Sequence, residues 1–253
     1  MAVTTDSLVY EWLGKNADDD GTPHANADGD VATWFANVGD LDITLSNFDW
    51  TTDDGWRGDG QAATPYALHN DGTAHVSRST TATSAVWQDT SFSVEQWLNL
   101  EARNETQNAA YFHNYVTNTG FRLVGALAAD TMILRWGHDA SYTNYTVTAG
   151  LSYNAWHHVI ITYDGTDLKW YWDNTAGAGA TVAYTANTTA AVGPFFCQGT
   201  DANYAHGSIA TVRWYSKALS VGEVSANYSA GILAASTDTE PTFTGLTVTR
   251  PVG

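Results

Sequence analysis

The chain has 253 residues, 43% of them hydrophobic, which is enough for one sizeable core without a disulfide or metal staple. Lys and Arg number 10 against 27 Asp and Glu, a net charge of −17, yet only 15% of residues are charged, below the usual ~25%. The acidity therefore comes from missing bases; it argues against a nucleic-acid footprint or an anionic membrane surface as partner and leaves room for a cation.

Leu8–Leu13 reads as a first strand, closed by Gly14 and an Asp/Asn-rich run. In that run Asn16, Asp18 and Asp20, followed by Gly21, have the 1-3-5-Gly spacing with which oxygen-ligand loops wrap Ca2+, and Asp28 and Asp30 flank Gly29 just beyond. Alternate carboxylates suit a hard cation. The twelfth position, where such loops place a bidentate acid, is Ala27, so this is no EF-hand. The competing reading is a solvated acidic loop. Asp49, Asp53 and Asp54 form a second, weaker cluster.

Ser91–Arg103 reads as a strand, with Phe92, Val94, Gln96 and Leu98 alternating with Ser93, Glu95, Trp97 and Asn99. Phe121–Leu127 and Thr131–Trp136 predict a hairpin around Ala128–Asp130, and Tyr145–Val147 a short strand. Trp156–Tyr163 is apolar at most positions, which predicts burial on both faces. Asp164-Gly165 is a turn signal and Leu168–Trp172 the return strand. Phe195–Gln198 and Ser208–Tyr215 complete the set. Short strands with frequent turns predict an all-β sandwich.

One helix interrupts this pattern. Ser220 with Glu223 makes a capping box, Leu219 and Val224 a hydrophobic staple, and Gly231 a stop. Val221, Val224 and Tyr228 are expected on one face. Residues 1–233 then form the domain, and the Thr-rich stretch 234–253, with Pro241 and Pro251, an extended arm with room for one strand at Thr244–Thr249. Such an arm could join a neighbouring copy, giving a homo-oligomer. Cys197 is alone, so no intrachain disulfide exists, and a small buried residue is the expectation for it.

Two segments carry a resemblance. Ala155-Trp156-His157-His158-Val159 through Thr162-Tyr163-Asp164-Gly165 and Leu168–Asp173 resembles the W-H-H-V … T-Y-D-G … L-Y-V-D-G hairpin of laminin-G-like domains. Gly207–Tyr215, Ala218-Leu219-Ser220 and Glu223 resemble their closing strand and helix. Gly60, Ala67-Leu68, Asp71-Gly72 and Ser91–Trp97 are similar to upstream strands of that family. The order and spacing hold from Leu8 to Ile232. The resemblance to the concanavalin A-like lectin/glucanase superfamily implies a two-sheet antiparallel jelly roll with a repertoire of carbohydrate, protein and often calcium binding. Asp173-Asn174 stands where the family has Asp-Gly; Asn also tolerates left-handed backbone, so the turn should survive.

Glycoside hydrolases of this fold carry a Glu-x-Asp-x-x-Glu strand, and this chain has none. Glu95 and Glu101 share strand parity but would lie about 20 Å apart, against roughly 5–9.5 Å for paired catalytic carboxyls. No Ser-His-Asp set or zinc spacing is visible, and His157 and His158 point to opposite faces. The expectation is therefore no enzyme, with a hydrolase as third reading. Glycan recognition uses aromatic platforms with polar hydrogen-bonding partners. The loop-placed candidates are Tyr111, His113, Asn114 and Tyr115; Tyr142, Asn144 and Tyr145; and Asp201, Asn203, Tyr204 and His206. For each cluster the competing reading is jelly-roll packing. Sequons at Asn104, Asn144, Asn187 and Asn227 read as chance.

Met1–Tyr10 has neither a basic nor an apolar leader pattern. That sets the expectation of a virion surface component, such as a head decoration, fibre or tail protein, binding glycan or other structural subunits. An extracellular carbohydrate-binding adhesion module is the alternative.

Overall fold

The computed structural model describes residues 2–51, 53–72, 76–79, 90–101, 109–115, 117–126, 130–187, 195–196 and 205–236. Its strands in chain order are β1 (Leu8–Leu13), β2 (Thr33–Trp34), β3 (Ile43–Ser46), β4 (Gly55–Arg57), β5 (Ala67–Asp71), β6 (Val76–Ser79), β7 (Phe92–Leu100), β8 (Ala109–His113) and β9 (Phe121–Ala126). They continue with β10 (Thr131–His138), β11 (Ser141–Ala149), β12 (Trp156–Tyr163), β13 (Asp167–Trp172), β14 (Thr175–Ala176), β15 (Ala180–Thr181), β16 (Phe195–Phe196) and β17 (His206–Tyr215), and α1 (Val221–Ala230) follows.

Two antiparallel sheets result. The first runs β14-β13-β12-β7-β17-β5-β4, with β1 also on β17 and β15 on β13. The second runs β11-β10-β9-β8-β16-β6-β3-β2. Strand alternation sends Phe92, Val94 and Leu98 of β7 and Leu123, Leu134 and Trp136 of the second sheet into one shared core. Rings fill the space between the layers: Phe92 stacks on Trp214 of its own sheet at 5.0 Å and across on Phe121 at 5.5 Å, and Phe121 stacks on Phe112 of the second sheet at 5.0 Å. This is the expected sandwich, consistent with a jelly roll.

The β12–β13 hairpin is set by its turn chemistry. Asp164 Oδ1 accepts from the backbone N–H groups of Thr166 and Asp167, and Gly165 takes φ +99°. At the far end Asp173 and Asn174 take φ +47° and +62°, the left-handed pair that a tight hairpin needs. β12 is buried along nearly its whole length, as its apolar sequence requires.

α1 covers the outer face of the first sheet. Its capping box forms: Glu223 N–H donates to Ser220 Oγ, and Ser220 N–H to Glu223 Oε2. Leu219 and Val224 pack with Ile160, Tyr171 and Tyr215. Val221 does not share that face; it is 64% exposed, because the helix meets the sheet through Val224 and Asn227. Beneath α1 lies a sealed polar network. Glu95 accepts from Arg213, His158, Tyr215 and Asn227, and Glu11 accepts from Arg213 and Ser236. Asn227 and Asn187 are buried, so neither sequon is open to a glycan. Cys197 and residues 237–253 of the 234–253 arm lie outside the described residues.

Candidate functional site

The second sheet turns Met132, Leu134 and Trp136 inward, so Arg135 projects from its outer face. Arg122 of β9 has the opposite parity to Phe121 and Leu123 and lies on the same face. Register aligns His113, Arg122, Arg135 and Asn144 in one row across β8, β9, β10 and β11. Three inter-strand steps of about 4.8 Å make that row roughly 14 Å long. Two tyrosines stand over it. The Arg135 guanidinium sits 4.5 Å from the Tyr142 ring centre and 5.9 Å from that of Tyr115, and Arg122 lies 5.3 Å from Tyr115. The two tyrosines meet edge to face at 6.1 Å.

Hydrogen bonds hold the cluster. Arg135 Nε donates to Asn144 Oδ1 at 3.0 Å, Tyr115 OH donates to Asn118 Oδ1 at 3.0 Å, and Asn118 Nδ2 donates to the Ala140 carbonyl at 2.8 Å. Gly137 lies opposite Tyr142, and a Cβ there would come 2.4 Å from the Asn118 carbonyl oxygen. Burial, and then the Arg122 charge, pull the His113 imidazole down to about 4, so it is neutral at pH 7. Tyr142 is 45% exposed, one of three large exposed hydrophobics among the described residues. With Arg135 Nε engaged, the guanidinium's Nη groups are the donors that a ligand would meet.

The predicted residues divide accordingly. Tyr115, Tyr142 and Asn144 come together at this face. Tyr142, Asn144 and Tyr145 lie within β11, not in a loop, and Tyr145 packs inward on Trp170. Tyr111 and His113 are not loop residues either: β8 carries both, and both are buried. A bulge between Ala110 and Phe112 turns Tyr111 into the core, where its hydroxyl donates to the His206 carbonyl. Asn114 is buried and accepts from Asn187. Asp201, Asn203 and Tyr204 lie outside the described residues. Sequence reasoning missed Arg122 and Arg135, although each breaks an apolar alternation in a chain with only 10 Lys and Arg.

Among the described residues, two groups of side chains could hold a metal. In the β1–β2 loop, Asp18, His24 and Asp30 offer atoms within 4.8 Å of one another, with Asp28 beside them. Of the oxygen set expected there, Asp20 turns to its own Thr22, accepting from both its N–H and its hydroxyl, and the backbone carbonyl of Asn16 accepts from Asn37 Nδ2. The second group is His69, Glu101 and His206. There Arg57 already pairs with Glu101, and burial holds His69 at about 4 and lowers His206. A cavity of about 390 Å³ at the β13 edge lies between β13, from Asp167 to Tyr171, and the Ala/Gly segment Ala176–Ala180.

Comparison with known proteins agrees with this architecture. A family model of the concanavalin A-like lectin/glucanases superfamily matches residues 70–225. No curated protein matches the sequence. Among solved structures, domain 4 of AbnA, a GH43 extracellular arabinanase from Geobacillus stearothermophilus in complex with arabinotriose, superposes with TM-score 0.65 at 16% identity over 88% of this chain and 98% of that one. Trypanosoma rangeli sialidase with 2,3-difluorosialic acid gives TM-score 0.64 at 12% identity over 90% of this chain. The chain spans 33% of that sialidase. The binding domain of botulinum neurotoxin serotype D gives 0.58 at 14% identity, covering 88% of this chain and 52% of that one. At these identities the likeness is one of fold.

Proposed function

The chain belongs to the concanavalin A-like lectin/glucanases superfamily, and on that premise we propose that it is a non-enzymatic glycan-binding module whose ligand rests on the Tyr142–Arg135 face of the second sheet. The observation that carries this reading is the exposed Tyr142 ring with a guanidinium held 4.5 Å from its centre. A sugar offers an apolar C–H face to a ring and hydroxyls to fixed donors, and this face offers both. Calcium, expected from the loop spacing, is not needed at this face.

The two buried glutamates that converge support binding over hydrolysis. Glu11 and Glu95 converge, but on Arg213, with neither open to solvent. An acid held in a sealed ion pair cannot reach a glycosidic oxygen. A virion surface component or an extracellular adhesion module would each present this face to a glycan, so the reading covers both settings. The solved relatives include an arabinanase domain with arabinotriose and a sialidase with a sialic acid derivative, which favours saccharide over protein as first partner.

The test is a glycan array with the purified protein, run with calcium and with chelator. Selective binding that Tyr142→Ala abolishes in both conditions is the expected result. Failure of every glycan in both conditions would remove the reading and leave protein subunits as the partner class.

A further inference from the structure

The β1–β2 loop folds back so that three carboxylates face one buried imidazole. The His24 side chain has no exposed surface, and its ring packs 5.2 Å from Trp56. Its Nε2 lies 2.7 Å from the Thr33 carbonyl oxygen. A carbonyl only accepts, so Nε2 carries a hydrogen, and Nδ1 is the ring nitrogen turned toward the carboxylates. Nδ1 has no hydrogen-bond partner. It faces Asp28 Oδ2 at 3.5 Å, Asp18 Oδ2 at 3.6 Å and Asp30 Oδ1 at 4.0 Å. A buried ring nitrogen without a hydrogen-bond partner, with three carboxylate oxygens within 4.0 Å, has the arrangement of a metal-donor set.

We propose that His24 Nδ1 and the carboxylates of Asp18 and Asp30, with Asp28 beside them, bind one divalent transition ion of the zinc class. Donors on a tetrahedral ion with bonds of about 2.0–2.1 Å stand about 3.3–3.4 Å apart. The separations of 3.5, 3.6 and 4.0 Å around Nδ1 exceed this by about 0.1 to 0.7 Å, most at Asp30, so the carboxylates must turn inward on binding. Asp30, with its side chain 42% exposed, has room to make that turn, and Asp28 Oδ2 is held beside the ring by the Ala25 N–H.

The donor chemistry separates this site from the calcium loop that the 1-3-5 spacing suggests. Calcium takes oxygen ligands only, whereas imidazole suits zinc, nickel and copper. Asp20 is bound to Thr22, so the set that forms is one nitrogen with oxygens. The Thr33 carbonyl plays the outer role usual for a ligating histidine, fixing its tautomer and orientation. The loop lies outside the 70–225 match. Residues 17–32 form no strand or helix, and Asn26 docks them by bonding both the N–H and the carbonyl of Trp56. An ion at His24 would staple the remainder of that loop.

The test titrates ZnCl2 into the metal-free full chain by calorimetry, with CaCl2 as competitor, and substitutes Co2+ for its visible spectrum. Expected are one zinc per chain, no displacement by calcium, and an affinity at least about tenfold weaker in D28N/D30N, whose positions are exposed enough to keep the far-ultraviolet dichroism unchanged. His24→Gln should remove the cobalt bands. Tyr142→Ala should leave zinc binding intact, which separates this site from the glycan face. Three results would each overturn the proposal: no zinc taken up by the folded chain, calcium bound in preference to zinc, or nitrogen NMR showing His24 Nδ1 protonated after zinc is added.

Discussion

Arg213 Nη1 donates to Glu95 Oε1 at 2.7 Å, and neither side chain has any exposed surface. The same guanidinium reaches Glu11 through Nε at 2.7 Å and the Ala234 carbonyl through Nη2. One cation thus joins β1, β7 and β17 to the segment after α1. Two carboxylates against one guanidinium leave excess negative charge, which His158, Tyr215 and Asn227 offset at Glu95 and the Ser236 N–H and hydroxyl at Glu11. Arg213→Ala would strand both carboxylates. Removing one member of a buried pair destabilises by about 3–5 kcal/mol, and the expected loss here is of that order. Urea unfolding monitored by tryptophan fluorescence measures it; a loss under about 1 kcal/mol would mean that water replaces the arginine.

Acid should act on this network in a defined window. Burial alone would raise Glu95, but Arg213, His158 and Tyr215 together hold it at about 2 against an ordinary 4.5. A depressed folded value gives stability that is complete above 4.5 and lost as pH falls toward 2. His69 and His113, lowered chiefly by burial from 6.5 to about 4, act earlier: their contribution is full above 6.5 and lost as pH falls through 4. The midpoint of thermal unfolding should therefore decline in two overlapping steps below pH 6.5. Glu95→Gln should flatten the lower step and leave the upper one, and a profile that keeps both would assign the lower step to other carboxylates.

Much of this fold is legible in the sequence, for physical reasons that can be traced residue by residue. β1 and β12 fall where their apolar runs begin and end, because each is bounded by turn residues or by a change of polarity. α1 is announced by Ser220 and Glu223, whose reciprocal hydrogen bonds need only local spacing. β2, β3 and β4 are not legible: at two to four residues each is too short for alternation to register, and they exist because neighbouring strands accept them. The site is less legible again. Tyr115 and Tyr142 belong together only because Arg122 and Arg135 are paired across β9 and β10, a relation fixed by register and not by spacing along the chain. His24 escaped for the same reason: a search for oxygen ligands at 1-3-5 spacing passes over the histidine on which the loop closes.

Gly120 sets the approach of the site's loop. It takes φ +74°, and a Cβ there would fall 1.7 Å from the Asn114 carbonyl oxygen. The left-handed backbone alone costs an alanine about 1–3 kcal/mol, and the clash adds to it. Gly120 N–H also donates to Thr185, and its carbonyl accepts from Gly137. Gly120→Ala should lower the unfolding midpoint and shift the amide signals of Asn118 and Tyr115, whose positions depend on this turn. Unchanged signals there would show that the loop is held from the Ala140 side instead.

The glycan face makes the sharpest demand on Arg135. Tyr142→Ala removes an exposed ring, so stability should change by no more than about 0.5 kcal/mol while affinity for an array-identified glycan falls at least about fivefold. Arg135→Ala should match that loss, because the guanidinium both lies against the ring and bonds Asn144. Arg135→Lys is the informative variant. It keeps the charge but loses the planar fork and the stacking contact. If the face works by geometry, lysine should bind as poorly as alanine, and added salt should matter little. If lysine restores binding and salt abolishes it, the arginine serves as a point charge and the ligand is an anionic saccharide held by electrostatics, not one seated on the Tyr142 ring.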